Sequence, residues 1–345
     1  MSLDRLPRPA SGQPTHPTML DVARLAGVSL KTASRVLNGE PHVSAATAEK
    51  VNLAARRLGF RPNGIARELR RGARSTAVGL IISDVGNPFY ARLTRGVERR
   101  LRREGMQLIT ASSDEDPELE RRLTVEMLDR RVCGLLLTSC LPSHRHLESG
   151  QVLGIPIAFL DRPPVGLAAD TVAIDNEGGA RLAARHLIER GHRRIGLIGD
   201  LSRLPTHRER VRGFESAMAE SGIGDWQRYV RADTHDSDSA VRALHDLLDL
   251  DEPPTALFTT NNRITIGAVR ALRGHPAPPA LVGFDDFELA DVLGVTVISH
   301  RPEDMGTLGA EHLLDRLAGA EVDVHRSRLP VRLVERGSGE RQPPA

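Results

Sequence analysis

Residues 18–69 constrain this chain more than any other segment, because they contain short helical patterns separated by sharp breaks. Thr18 and Ser29 are typical N-cap residues ahead of the first two patterns, and Gly27 supplies a tight turn between them. Ser44 opens a third helical pattern. Two short helices joined by such a turn predict a helix-turn-helix, whose second helix can enter the major groove of DNA.

Apolar spacing divides these helices into inner and outer faces. In the first helix the inner positions are Val22, Ala23, Leu25 and Ala26, and in the second they are Ala33, Val36 and Leu37. The second helix then presents four outward residues, which are Leu30, Lys31, Ser34 and Arg35. An alternative is a small helical subdomain whose charged face is merely solvated.

The distribution of charge favours contact with nucleic acid at one end of the chain. Residues 1–75 contain 13 Lys and Arg against 5 Asp and Glu, a balance of +8, and the remainder contains 34 against 40, a balance of −6. Arginine is abundant everywhere, since only Lys31 and Lys50 are lysines. The argument therefore rests on the uneven distribution alone.

From Ala77 onward, short apolar runs alternate with amphipathic helical patterns. The runs are Val78–Ile82, Leu108–Ala111, Gly134–Thr138, Ile157–Leu160, Val172–Ile174, Ile195–Ile198, Ala256–Thr259 and Leu281–Phe284. This alternation predicts an α/β fold with parallel sheets covered on both faces, and the number of strands favours two doubly wound lobes. Ligands of such folds bind beyond the carboxyl ends of the strands, which here includes the cleft between the lobes.

Polar residues follow several of these strands and are candidate ligand contacts. After the first strand come Ser83, Asp84, Asn87, Phe89 and Tyr90. Asp161, Asn261 and Asp285 follow later strands closely, and Arg210 lies in a helix after another. For each of these residues the alternative is a structural role, either as a helix cap or as a solvated surface charge. Asn87 before Pro88, for example, is an ordinary helix start.

We expect two folded parts between disordered ends. The expected boundaries are a disordered leader at 1–17, a headpiece at 18–62, a hinge helix and linker at 63–75, a two-lobed core at 76–337 and a disordered tail at 338–345. The first lobe is expected to comprise about 76–174 and 302–328, and the second about 175–301 and 329–337. No apolar run has membrane-spanning length and no export signal is evident, so we expect a cytoplasmic, nucleoid-associated protein.

An enzyme and an exported solute-binding protein are the alternatives to a DNA-binding regulator. Gly196 and Gly199 form only half of a dinucleotide fingerprint, and neither a phosphate-binding loop nor a nucleophile elbow is present. His192 is more consistent with anchoring a turn than with acting as a base. Cys133 and Cys140 suggest buried thiols without metal-ligand spacing. We therefore expect no catalytic residue, no metal and no cofactor, and the headpiece argues against a solute-binding protein.

The chain resembles the lactose/galactose-repressor (LacI/GalR) family of bacterial transcription regulators from about Thr18 to about Val334. The resemblance is most specific in DVARLAGVSLKTASRVLNG and RPNGIARELRRG. Weaker matches are NPF, RVRGF, TTNN, VGFDD and ISHRPEDMGTLG. It implies a helix-turn-helix headpiece joined by a hinge helix to a core like the periplasmic sugar-binding proteins, with a homodimer on near-palindromic double-stranded operator DNA.

The resemblance implies specific roles at the DNA. Leu30, Lys31 and Arg35 would face base edges, and a guanidinium such as that of Arg35 can bond guanine O6 and N7 together. Polar side chains suited to phosphate contacts are Ser29, Thr32, Ser34 and Asn38, and His42 is suited to either contact. In the hinge, Asn63 would contact DNA and Leu69 would wedge into a minor-groove step; the alternative is that Leu69 packs on the headpiece.

The resemblance also places Asp161, Arg210, Asn261 and Asp285 in the cleft between the lobes, where they suit the hydroxyls of a sugar or polyol effector. Two positions depart from the family. Thr234 stands where relatives often have an aromatic residue that stacks on the ligand, and Asn262 replaces a common aspartate. The expected output is repression, controlled allosterically by the effector.

Overall fold

The computed structural model describes residues 17–38, 40–41, 43–60, 75–148, 154–320 and 323–344. The chain divides into two compact units, Met1–Ser75 and Thr76–Ala345. Three helices form the described part of the first unit: α1 Met19–Ala26, α2 Leu30–Leu37 and α3 Ala45–Leu58. None of the helices in the described ranges is both long enough and apolar enough to span a bilayer.

Capping residues define the ends of these three helices. The Thr18 hydroxyl accepts a hydrogen bond from the backbone N–H of Asp21, whose carboxylate accepts one from the Thr18 N–H, which completes a capping box. Ser29 and Ser44 cap α2 and α3 through their hydroxyls. Gly27 is left-handed, with φ of 67°, as the turn between α1 and α2 requires. These caps confirm the predicted helix starts and the turn.

A small alanine-rich core holds the three helices together. Its buried residues are Val22, Ala23, Ala33, Val51, Ala54 and Ala55. The inward assignment of Leu25 is wrong, because this side chain is 49% exposed. In α1 only the adjacent residues Val22 and Ala23 are fully buried. The face of this short helix that contacts its neighbours is therefore narrow.

The second unit contains twelve strands, seven α-helices and two short 3-10 helices, Arg145–Glu148 and Trp226–Tyr229, in its described residues. The strands are β1 Ala77–Ile82, β2 Gln107–Ser112, β3 Gly134–Leu137, β4 Ile157–Leu160, β5 Asp170–Ile174, β6 Ile195–Ile198, β7 Val230–Arg231, β8 Ala256–Thr259, β9 Ala280–Phe284, β10 Thr296–Ser299, β11 Arg326–Leu329 and β12 Arg332–Val334. The helices are α4 Pro88–Arg102, α5 Pro117–Asp129, α6 Asn176–Glu189, α7 Pro205–Glu220, α8 Ser237–Leu248, α9 Asn262–Ala271 and α10 Pro302–Leu317.

Two six-stranded sheets form the two lobes, which confirms the predicted doubly wound α/β fold. The first sheet has the order β2-β1-β3-β4-β5-β11 and is parallel throughout. The second has the order β7-β6-β8-β9-β10-β12, in which only β12 is antiparallel. In each sheet the chain order reverses between two central strands, so the carboxyl ends of those strands open onto one crevice.

The chain crosses between the lobes three times. β5 ends in the first sheet at Ile174 and α6 begins the second lobe, β10 leads back to α10, and β11 leads on to β12. Leu329 pairs with Ile174 in the first sheet, so the expected start of the second lobe at 329 is one residue too early.

The expectation of a disordered tail at 338–345 is wrong for residues 338–344, which pack on the second lobe. Ser338 is buried, and its hydroxyl donates to the carbonyl oxygen of Leu281 at 2.6 Å. The carboxylate of Glu340 lies 2.8 Å from Nε2 of His186, and the carbonyl oxygen of Arg341 lies 2.9 Å from Nε2 of His192. Polar hydrogen bonds rather than apolar side chains order this segment, which is why its composition suggested disorder.

Substituting Gly96 tests the close approach of α4 and α10. A Cβ at this position would collide with the carbonyl oxygen of Glu303 in the backbone of α10. We expect Gly96→Ala to lower the free energy of unfolding by about 1–3 kcal/mol, as overpacking does. Urea unfolding measures the change. Gly224→Ala is the control, because a Cβ there meets no atom within 4 Å; equal stability of both variants would contradict the close packing.

Candidate functional site

The outward face of α2 carries the residues predicted to contact bases. Leu30 is 49% exposed, and Lys31 and Arg35 are exposed as well. Nε of Arg35 lies 3.8 Å from a carboxylate oxygen of Glu40, a loose surface pair that leaves the guanidinium free to find another partner. The face therefore presents one apolar and two cationic side chains.

The polar residues predicted to contact phosphate make local hydrogen bonds. The Ser29 hydroxyl accepts from the Thr32 N–H at 3.1 Å and lies 2.8 Å from the Thr32 hydroxyl. Nδ2 of Asn38 donates to the Ser34 hydroxyl at 3.1 Å. These bonds fix the ends of α2 and hold the hydroxyl groups at its surface. Three further candidates, His42, Asn63 and Leu69, lie outside the described residues.

The cleft between the two lobes contains most of the predicted effector contacts. Eight of the ten line one cavity: Asp84, Asn87, Phe89, Tyr90, Asp161, Arg210, Asn261 and Asp285. Asp84, Asp161, Asn261 and Asp285 lie just beyond strand ends that open onto the crevice, and Asn87, Phe89, Tyr90 and Arg210 come from the starts of α4 and α7, the helices that follow β1 and β6. The cavity is small, about 40 Å³, which is room for a few water molecules and far less than a sugar needs.

Asp161 and Asp285 occupy equivalent positions in the two lobes. Each directly follows the fourth strand of its sheet, and each has a left-handed backbone, with φ of 68° and 69°. The N–H of Asp161 donates to Val172 O at 2.8 Å, and that of Asp285 donates to Ile298 O at 3.0 Å. Residues other than glycine are uncommon in this conformation, which costs about 1–3 kcal/mol and concentrates at functional sites.

Arg210 and His300 hold the carboxylate of Asp285. NH1 of Arg210 lies 3.6 Å from one carboxylate oxygen, and Nε2 of His300 lies 2.9 Å from the other. Burial favours the neutral acid, but the charge of Arg210 and the His300 hydrogen bond together keep the pKa of Asp285 below its usual value. Asp285 is therefore an ionised hydrogen-bond acceptor at the cavity wall.

Asp161 is in the opposite electrostatic situation. Its nearest cation is Nε of Arg162 at 3.5 Å, and no hydrogen bond from a described residue reaches its carboxylate. Burial raises the pKa of Asp161 above its ordinary value, against the attraction of Arg162 and Arg210. A buried carboxylate without a donor is suited to accept hydrogen bonds from a ligand hydroxyl.

Two predicted effector residues do not line the cavity. The Ser83 hydroxyl donates to Thr138 O at 3.1 Å, between the ends of β1 and β3. Thr234 is buried, and its N–H donates to Gly199 O at 3.0 Å. The next residue, His235, reaches the cavity instead and bonds Asp200 at 2.9 Å. That hydrogen bond raises the pKa of His235.

Several cavity residues were missed by the sequence prediction. They are Glu115, Arg162, Asp200, Thr206, His235 and Arg263. Asp200 lies two residues beyond β6, so the strand-end argument applied consistently would have found it. Glu115 and Arg162 form a buried bidentate ion pair, with nitrogen–oxygen distances of 2.9 and 2.6 Å, that no local pattern reveals.

The other chemically suggestive residues have structural partners. His192 is fully buried and bonds Thr255 Oγ1 at 2.8 Å, so it anchors its turn. Cys133 and Cys140 are free, and burial raises the pKa of both thiols, that of Cys140 to about 12. Among the described residues, no group of three His, Cys, Asp or Glu is arranged to hold a metal ion.

A helical headpiece and a two-lobed core with a polar interlobe cavity define an allosteric DNA-binding regulator. Residues 18–63 match the family described as bacterial regulatory proteins, lacI family, and residues 184–339 match a periplasmic binding protein-like domain. The chain belongs to the LacI family of bacterial transcription regulators, a non-enzymatic family.

Relatives match the chain over nearly its full length. The ribose operon repressor of Escherichia coli is 33% identical over 93% of this chain and 99% of its own. The HTH-type transcriptional regulator CelR of Thermobifida fusca is 35% identical over 94% and 98%. A solved lac repressor dimer, bound to operator and an anti-inducer, is 26% identical with a TM-score of 0.75 and covers 94% of this chain and 99% of its own.

Asp161→Asn should stabilise the ligand-free protein at neutral pH. Because the pKa of Asp161 is raised, its ionised form lowers the stability of the fold, in full above the folded-state pKa and not at all below the ordinary aspartate pKa of 3.8. Asparagine removes the charge and tolerates the left-handed backbone. We expect a gain of about 1 kcal/mol at pH 7, the ordinary size of a single-site effect.

Urea unfolding across pH measures this gain. It should shrink as pH falls, because protonation then neutralises Asp161 in the unsubstituted protein too. Asp285→Asn is the matched comparison, since the pKa of Asp285 is lowered and its ionised form contributes stability. That variant should be destabilised at pH 7. A destabilised Asp161→Asn would contradict the electrostatic assignment.

Proposed function

We propose that this protein is a homodimeric transcriptional repressor whose operator affinity is controlled by a sugar or polyol bound between its lobes. The observation that carries this proposal is the interlobe cavity, in which carboxylates and guanidinium groups converge from the ends of strands in both lobes. Hydroxyl groups both donate and accept hydrogen bonds, so they suit such a mixed lining.

The names of its relatives support this class of effector. One solved structure at 33% identity, with a TM-score of 0.69, is a complex of the regulator CelR with cellobiose. Another, at 26% identity, is a LacI family regulator with bound ribose. The cavity of this chain lacks a tryptophan, and its aromatic residues Phe89 and Tyr90 both come from α4. We infer that hydrogen bonding contributes more than stacking to effector recognition.

On the DNA, we propose that Arg35, Lys31 and Leu30 contact base edges, while Ser29, Thr32, Ser34 and Asn38 contact phosphates. The exposed face of α2 supports the first group. Each headpiece would bind one half-site of a near-palindromic operator in the nucleoid, with the two-fold axis of the dimer on that of the DNA. His42, Asn63 and Leu69 complete the proposed contacts on the basis of family resemblance.

Coupling between effector and operator follows from linkage. An effector changes operator affinity only to the extent that it binds two arrangements of the lobes with different affinities. Equilibrium binding to genomic fragments, with and without neutral sugars, tests the proposal. Equal affinity for every fragment and for random duplex, across all salt concentrations and sugars, would refute it.

Arg35→Ala tests the proposed base contact. Losing a bidentate arginine–guanine contact should weaken operator binding by about 1–3 kcal/mol and remove discrimination at one base pair. Fluorescence anisotropy on operator variants measures both effects. Arg24→Ala is the control, because Arg24 is exposed on α1, outside the recognition helix. If Arg35→Ala weakened binding equally on all sequences, as loss of a phosphate contact would, the base contact would be disproved.

Asp285→Ala tests the proposed effector contact. Removing the ionised acceptor should abolish the effect of the sugar on operator affinity and leave operator binding by the ligand-free protein in place. Thermal-shift titration with D-ribose and cellobiose, followed by operator binding with the sugar that stabilises the protein, measures both. Asp291→Ala, on the exposed surface of the same lobe, is the control. An unchanged sugar response in Asp285→Ala would rule out the contact.

A further inference from the structure

A groove between α4 and α10 of the first lobe concentrates positive charge, and we call it the arginine groove. Six of the ten residues that line it are arginines, namely Arg92, Arg95, Arg99, Arg100, Arg103 and Arg301. Two carboxylates, Glu303 and Asp304, also line it. The groove has a volume of about 360 Å³, and no described residue lines both it and the interlobe cavity. Its volume is within the range of small-molecule sites.

Close packing of two helix backbones gives the arginine groove a rigid floor. A Cβ at Gly96 of α4 would collide with the carbonyl oxygen of Glu303, and one at Gly306 of α10 would collide with that of Leu93. The Thr307 hydroxyl donates to the same Glu303 carbonyl at 2.8 Å. The arginines therefore extend from backbone that is held in place, and such rigidity lowers the entropic cost of binding.

Both carboxylates of the arginine groove already have arginine partners. Glu303 accepts hydrogen bonds from Nε and NH2 of Arg92 at 3.0 and 3.1 Å. A carboxylate oxygen of Asp304 lies 3.3 Å from Nε of Arg301. Since each acidic charge is matched by one of these two arginines, the remaining arginines give the groove a net positive charge.

Three exposed arginines of the groove form no ion pair with a carboxylate of the described residues. They are Arg95, Arg99 and Arg103. Two other arginines of α4 differ, because each has an acidic partner four residues away. NH1 of Arg100 lies 2.9 Å from a carboxylate oxygen of Glu104, and NH2 of Arg102 bonds Glu98. The uncompensated charge of α4 is therefore concentrated on the face that lines the groove.

The spacing of these three arginines makes their charge unfavourable to the helix. Arg95, Arg99 and Arg103 are four residues apart, which places them on one side of α4 at steps of about 6 Å. Like charges at this spacing destabilise a helix. The helix macrodipole favours cations in the last turn, which accounts for Arg99 and Arg103 but not for Arg95, about two turns from the end. A ligand of opposite charge would relieve this repulsion.

We propose that the arginine groove binds a small molecule that carries a phosphate group. A guanidinium presents its N–H donors in a planar fork that matches phosphate oxygens, and one phosphate dianion can bond to two neighbouring arginines at once. A carboxylate would bring only one negative charge to three unpaired cations. Exposed ion pairs are weak individually, so recognition here depends on several arginines that contact the same group. This site is separate from the interlobe cavity and needs no effector there.

Isothermal titration calorimetry on the full-length protein, in phosphate-free buffer at low salt, measures binding of sodium pyrophosphate and of D-ribose 5-phosphate. We expect both to bind. The double variant Arg95→Gln/Arg99→Gln should weaken both by at least about tenfold, because two charged donors are lost. The matched control is Arg242→Gln/Arg273→Gln, which removes the same charge from the exposed surface of the second lobe. Its affinities should stay within about twofold of the unsubstituted protein.

The outcomes distinguish this site from general surface charge, from the interlobe cavity and from DNA binding. Failure of both phosphates to bind, or equal losses in the two double variants, would overturn the proposal. D-ribose lacks the phosphate and should not displace D-ribose 5-phosphate; displacement would assign that ligand to the interlobe cavity and count against the groove. If only random duplex DNA lost affinity in Arg95→Gln/Arg99→Gln, the groove would contact the DNA backbone and the small-molecule site would be disproved. Arg103→Gln is the second test if that double variant fails to fold in urea-unfolding measurements.

Discussion

The buried guanidinium of Arg210 organises the second-lobe wall of the cavity. Its Nε donates to Oδ1 of Asn176 at 2.8 Å, NH1 donates to the carbonyl oxygen of Thr260, and the group stacks on the Phe284 ring at 3.8 Å. Removing a cation from water costs several kcal/mol unless such partners compensate it. Arg210 thus contacts residues of α6, β9 and the loop just after β8, and its charge helps to keep the nearby Asp285 ionised.

The aspartates that follow the equivalent strands of the two lobes differ in their electrostatic surroundings. Arg210 and His300 keep Asp285 ionised, whereas no described residue donates a hydrogen bond to the Asp161 carboxylate and burial raises its pKa. Two left-handed aspartates facing one cleft are costly to the ligand-free protein. In the proposed function, a ligand hydroxyl that donates to Asp161 would offset part of the cost of burying that carboxylate.

Sequence reasoning succeeded where position along a strand decides position in space. Asp161, Asn261 and Asp285 were found because carboxyl ends of parallel strands meet at one crevice. Thr234 was named from the family resemblance and does not line the cavity, whereas the next residue in the loop, His235, does. The Glu115–Arg162 pair was missed because its members are 47 positions apart and only the tertiary fold joins them. The ordered segment 338–344 was missed because hydrogen bonds, which leave no apolar pattern, hold it.

Linkage sets how much binding free energy the proposed effector must supply. Moving a two-state equilibrium from 1:99 to 99:1 needs a difference of about 5.5 kcal/mol in binding free energy between the states. A hydrogen bond contributes about 0.5–1.5 kcal/mol net, and more where the protein partner is charged. In the proposed function, a ligand would place several hydroxyls at once, one of them on Asp161, whose carboxylate accepts no hydrogen bond from the described residues. A sugar ring offers that many groups in a fixed arrangement, whereas a small alcohol does not.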